Sequence, residues 1–147
     1  MDLILWRHAD AEDGYPDAER KLTAKGHAQA KRIAAWLNER LPKDALILVS
    51  PALRAQQTAH ALRRDFATCM EIATGADPRD VLKAAQWPHA AHSVLVVGHQ
   101  PTLGQTASLL LTGSEGDLSV KKGAVWWISG RGPGECSLLG MMSPGML

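Results

Sequence analysis

The chain has 147 residues, 46% of them hydrophobic and 21% charged, which is enough for one domain with a full core and short for two. Its formal net charge of +1, without a run of Lys or Arg, argues against nucleic acid as a partner. No apolar window approaches a membrane span and no leader-like pattern precedes the first apolar run, so a cytoplasmic, soluble protein is expected.

Leu3 to Trp6 is a short apolar run that ends in Arg7-His8-Ala9 and reads as a buried strand. A polar segment with Gly and Pro covers 10–21. Thr23 suits the N-cap of an Ala-rich helix over 24–40, with Ile33, Trp36, Leu37 and Leu41 as apolar positions and Pro42 as the stop. Ala45 to Val49 is a second buried strand. Ser50-Pro51 then predicts a cap with proline at the first helical position, and a helix to about Phe66. A short strand is expected over Cys69 to Ile72. Asp77-Pro78 repeats the cap-plus-proline signal and opens a helix to about Trp87.

Ser93 to Val97 is a third buried strand. It ends at Gly98-His99-Gln100-Pro101 and leads into a helix over 102–111. A polar loop over 112–123 precedes a β-type run over 124–129, where adjacent Trp126 and Trp127 must point to opposite faces. A last strand is expected over 136–141, with an irregular tail after Ser143-Pro144. Cys69 and Cys136 lack metal-ligand spacing and read as reduced, structural thiols.

Alternating strands and helices imply an α/β fold whose largely parallel sheet is covered on both faces. Crossover helices then bring the carboxyl ends of the strands to one edge, where ligands of such sheets bind. That edge would collect Arg7 and His8, Arg54 in the first turn of the helix after Ser50-Pro51, and His99. Two guanidiniums offer paired donors to phosphate oxygens, and a helix N-terminus adds its own preference for an anion. Neutral His8 is a competent nucleophile, because an ordinary imidazole with a pKa of about 6.5 is largely unprotonated near neutral pH. His99 is placed to donate to a phosphoryl oxygen during transfer. Positioning and charge stabilisation carry most of phosphoryl transfer, and nothing in this set requires a metal or another cofactor.

These segments resemble the histidine phosphatase (phosphoglycerate mutase-like) superfamily, and within it the small SixA-type phosphohistidine phosphatases. Arg7-His8-Ala9 is similar to the family's Arg-His-Gly signature. Residues 17–26 resemble an Asp-x-x-Arg-x-Leu-Thr-x-x-Gly segment, and residues 49–58 a Val-Ser-Pro-x-x-Arg-Ala-x-Gln-Thr segment. Residues 93–101 are similar to the strand bearing the second histidine, and Met142-Ser143-Pro144 also has a counterpart. The resemblance implies a three-layer sandwich with one antiparallel strand in the sheet, at 124–129. It further implies His8 as the phosphorylated nucleophile, Arg7, Arg54 and His99 around the phosphate, and Arg20 lining the same pocket. Lys121 and Lys122 would then rim the entrance.

Two departures follow. Ala9 stands where many members have glycine, which is costly only if that position needs φ > 0. No single general acid emerges: Asp10, Glu71, Asp77 and Asp80 are candidates, and Asp77 is equally explained as a helix cap. A phosphohistidine loses its imidazole once the ring is protonated, so it needs a dedicated acid less than a phosphate ester does. One domain over 1–147 leaves no residues for a lid, and an open rim suits a phosphorylated side chain on another protein.

The expectation is therefore a metal-independent phosphohistidine phosphatase, a monomer without a cofactor. Its partners would be histidine phosphotransfer domains or phosphotransferase-system carriers, not nucleic acid or membrane. The alternatives are a small-molecule phosphomonoesterase with the same pocket and a non-catalytic phosphoprotein-binding module. Arg20 is also explained by an ion pair with Asp17. Gln57 and Thr58 read as supports for the helix bearing Arg54. His27, His60, His89 and His92 have no motif around them.

Overall fold

The computed structural model describes residues 1–147. Strands β1 (Asp2–Arg7), β2 (Leu46–Val49), β3 (Ala67–Thr68), β4 (Val94–Gly98), β5 (Val125–Gly130) and β6 (Cys136–Met142) form one sheet in the order β3-β2-β4-β1-β5-β6. The first four of these neighbours run parallel, and β5 is antiparallel to both β1 and β6. Helices α1 (Ala24–Asn38), α2 (Leu53–His60), α3 (Pro78–Ala84) and α4 (Thr102–Thr112) supply the outer layers.

Side-chain alternation divides the core in two. Leu3, Leu5, Val94, Val96 and Ile128 pack on the face covered by α3 and α4, with Val81, Leu103 and Leu110. Ile4, Trp6, Ile47, Val49, Leu95 and Val97 pack on the other face with Ile33 and Leu37 of α1 and Ala55 and Ala59 of α2. A continuous apolar run such as β4 is what burial on both faces demands. Trp126 packs against the first cluster and Trp127 against the second, on opposite faces as the strand period requires.

Local boundaries differ from the sequence expectation in four places. Helix α2 begins at Leu53 with Ala52 at its N-cap, and Ser50 Oγ accepts both from the Ala52 amide at 3.3 Å and from His99. It stops at His60, not near Phe66: Leu62 inserts into the core, Asn38 donates to the Leu62 carbonyl at 3.1 Å, and Arg63 takes φ 54°. The strand expected over 69–72 lies earlier, at Ala67–Thr68, where it pairs with Leu48 and Val49; Met70–Ile72 is a 3-10 turn that buries Ile72. The Asp77 cap is present as a capping box completed by Asp80, although α3 ends at Ala84.

The strand order sets up the site. The connection from β1 runs to β2 past the position that β4 later fills, so β1 and β4 become parallel neighbours with Arg7 opposite Gly98. Their following helices, α1 and α4, cover opposite faces, which opens a crevice at the carboxyl ends of these two strands.

Candidate active site

His8 and His99 each follow the last residue of one of these adjacent strands. The His8 amide donates to the Gly98 carbonyl at 3.0 Å, and the His8 carbonyl accepts from Gly123 at 3.1 Å, so the backbone is held from both sides. The ring centroids of His8 and His99 lie 5.2 Å apart. His8 Nδ1 is 2.8 Å from the Ala9 carbonyl. A carbonyl can only accept, so Nδ1 carries the proton and Nε2 presents its lone pair.

Arg54 faces a nitrogen of each ring and is 2% exposed. Its Nε donates to His8 Nε2 at 3.4 Å, and its Nη2 faces His99 Nδ1 at 3.4 Å. A guanidinium has no lone pair to offer, so His99 Nδ1 accepts and the His99 proton sits on Nε2. That nitrogen donates to Ser50 Oγ at 2.7 Å. Helix α2 is fixed against the His8 loop by Thr58, whose hydroxyl donates to the Arg54 carbonyl at 2.7 Å and accepts from the Ala9 amide at 3.0 Å. Gln57 accepts from the Leu22 amide at 2.7 Å and ties α2 to the segment before α1.

Arg7 donates through Nη1 to the Val120 carbonyl at 3.0 Å, and its buried Nε has no protein partner. An unpaired donor on a buried cation is one that an anion can satisfy. Arg20 is further out. It donates to Asp17 at 3.1 Å and to the Glu12 carbonyl at 3.1 Å, and its link to the histidines runs through Asp17.

Asp17 is the carboxylate that sequence reasoning missed at this centre. It accepts from Arg54 Nη2 at 3.1 Å, while its carbonyl accepts from Arg54 Nη1 at 2.8 Å. Thr74 also accepts from Arg54 Nη2, at 3.2 Å. Asp17 could have been found as the first residue of the Asp-x-x-Arg segment; Thr74 sits in a loop with no sequence signal. The proposed acids are occupied elsewhere. Asp77 and Asp80 hold each other's backbone in the α3 capping box, and Glu71 accepts from Cys69 at 3.1 Å. Asp10 accepts from Thr23 at 2.8 Å and pairs with Lys122 at 3.1 Å, and the Thr23 bond is the leading cause that holds its pKa below the usual range.

Burial is the main force on the two imidazoles. It lowers His8 to about 4, with smaller opposing help from the Ala9 carbonyl and further lowering by Arg54, Arg7 and Arg20. Burial likewise lowers His99 to about 3, followed by the influence of His8 and Arg54. Both rings are therefore neutral at pH 7. Ala9 does not take positive φ, so the absent glycine imposes no backbone strain here.

The family model of the histidine phosphatase superfamily (branch 1) matches residues 3–79. An uncharacterised protein of Picosynechococcus sp. is 36% identical over 136 residues, covering 85% of this chain and 82% of its own. Phosphohistidine phosphatase SixA of Escherichia coli is 29% identical over 126 residues, covering 77% and 76%. The solved structure of the protein histidine phosphatase SixA complexed with tungstate superposes with a TM-score of 0.81 at 26% identity, covering 99% of each chain.

Proposed function

Because the chain belongs to the histidine phosphatase superfamily, in its SixA-type branch, we propose that it removes phosphoryl groups from phosphorylated histidines on proteins by way of a phospho-His8 intermediate. The observation that carries this reading is one guanidinium, Arg54, facing the lone pairs of two neutral imidazoles, His8 Nε2 and His99 Nδ1. Tungstate, present in the related SixA structure, is a tetrahedral oxyanion like phosphate. A phosphoryl group centred on Arg54 would take over donors now given to ring nitrogens and to Asp17.

The steps follow from the tautomers. The substrate ring is first protonated from bulk water; His8 Nε2 then attacks phosphorus in line, and the new N–P bond forms as the N–P bond of the substrate breaks and neutral imidazole leaves. The proton stays on Nδ1, and the Ala9 carbonyl that accepts from it stabilises positive charge as it develops on the His8 ring. The arriving anion opposes the factors that keep His99 neutral, so its Nδ1 acquires a proton and donates to a phosphoryl oxygen. Water then attacks the phosphorus of phospho-His8, releasing inorganic phosphate and restoring the nucleophile. Arg7 and Arg54 supply the positive charge, with Arg20 steadying Asp17 at the edge, and the chemistry proceeds without a metal. We read residues 1–147 as one domain with an open rim and no lid. Histidine phosphotransfer domains and phosphotransferase-system carriers are the substrate class that fits it.

The test is to mix the protein with a phosphohistidine phosphotransfer domain and quench in base. Acid-labile phosphate should appear on the protein, vanish in His8→Ala, and be indifferent to EDTA. Faster turnover of a panel of sugar phosphates would overturn the substrate assignment, and partner binding without labelling would overturn the enzyme reading.

A further inference from the structure

A groove of about 860 Å³ lies beside the site, and its lining includes the basic Arg7, Lys25, Lys121 and Lys122 and the apolar Trp126 and Met146. Asp10 is the one carboxylate in it, and that carboxylate is already paired with Lys122. Lys25 and Lys121 are exposed and make no ion pair. Main-chain hydrogen bonds tie the groove's loop to the His8 strand end: Gly123, next to Lys122, donates to the His8 carbonyl at 3.1 Å, and Val120, next to Lys121, accepts from Arg7.

We infer that this groove is a docking site for an acidic, partly apolar segment of the phosphorylated protein, lying beside its phosphohistidine. The inference rests on the proposed function and adds the chemistry of the partner's flanking surface. Three features carry it. Positive charge is concentrated here on a chain whose overall charge is only +1, so complementarity is local. The basic side chains share the groove with apolar surface, as a protein partner's mixed face requires. Arg7 lines the groove and immediately precedes His8 in the chain, so a segment seated here approaches the nucleophile. A concave groove holding a handful of cations fits a peptide ridge better than a flat lipid surface.

The test compares two short peptides, each with one phosphohistidine, flanked in one by Asp and Glu and in the other by Lys. With the wild-type protein at low salt, KM for the acidic peptide should be at least about tenfold lower, and the gap should close in about 0.5 M NaCl, where screening shortens to a few ångströms. In Lys25→Glu/Lys121→Glu the preference should disappear or reverse, while kcat and the hydrolysis of phosphoramidate stay unchanged. Lys25 is in the first turn of α1, where a glutamate is compatible with the helix, so the variant should fold. Equal KM values for the two peptides with normal labelling of His8 would overturn the docking site alone. Absence of labelling from both peptides and from phosphoramidate would overturn the proposed function and this inference together. Binding to phosphatidylserine vesicles that the double variant abolishes, without any peptide preference, would assign the groove to a lipid surface instead.

Discussion

Acidification is the most searching perturbation, because the folded protein keeps His8 neutral where an unfolded chain would not. The ring titrates at about 4 in the folded state against an ordinary 6.5, chiefly through burial. The sign is set by linkage: the unfolded state takes up the proton first, so this contribution is intact above pH 6.5 and is lost as pH falls through the window down to about 4. A displacement of that size is worth roughly 3 kcal/mol for this one group, a large part of the usual 5–15 kcal/mol. His99, lowered to about 3 and coupled to His8 across 5.2 Å, acts in the same direction without adding independently. The assay is urea unfolding at several pH values between 7 and 4 for the wild type and for His8→Asn, which does not titrate. The wild type should lose stability more steeply than the variant, by about 1.4 kcal/mol per pH unit within the window. In parallel, NMR should find the His8 ring still neutral at pH 5 in the free protein. Parallel stability curves for the two proteins, or a His8 midpoint near 6.5, would refute the claim that burial governs this ring.

Ser50→Ala removes the acceptor of the His99 Nε2 proton and leaves a buried donor unpaired, which should cost about 1–3 kcal/mol by denaturant unfolding. It should also lower kcat more than it raises KM, since Ser50 orients His99 and does not touch the substrate. Ala9→Gly should not raise activity, because residue 9 does not use positive φ, and it should cost about 0.5–1 kcal/mol through a looser unfolded chain. Gly26→Ala should destabilise by about 1–3 kcal/mol or more in a thermal melt. A Cβ there would collide with the Asp10 carbonyl oxygen, a backbone atom held by the Thr23 amide at 3.1 Å.

Much of the fold was legible because burial leaves a local imprint. The all-apolar β1 and β4, the capped start of α1 and the Asp77-Pro78 start of α3 each carry their own signal within a few residues. The meeting of His8, Arg54 and His99 was legible too, since each stands where a strand gives way to a loop or helix. What neighbouring residues cannot encode is partnership. Ser50 looks like a helix cap in sequence, and its hydroxyl, besides accepting from the Ala52 amide, also accepts from His99, forty-nine positions away. Asp17 looks like the mate of Arg20 and is shared with Arg54. The end of α2 depended on Leu62 finding the core and Asn38 finding its carbonyl, neither of which leaves a mark near residue 60.

By itself, then, the sequence determined the element types, the apolar faces and the chemical groups available at the strand ends, because these follow from periodicity, capping and side-chain chemistry. Only the tertiary structure decided that β4 lies between β1 and β2, that the two imidazoles therefore face one guanidinium, and that burial holds both neutral. Strand order and desolvation are set by contacts between residues far apart in the chain, and no local pattern carries them.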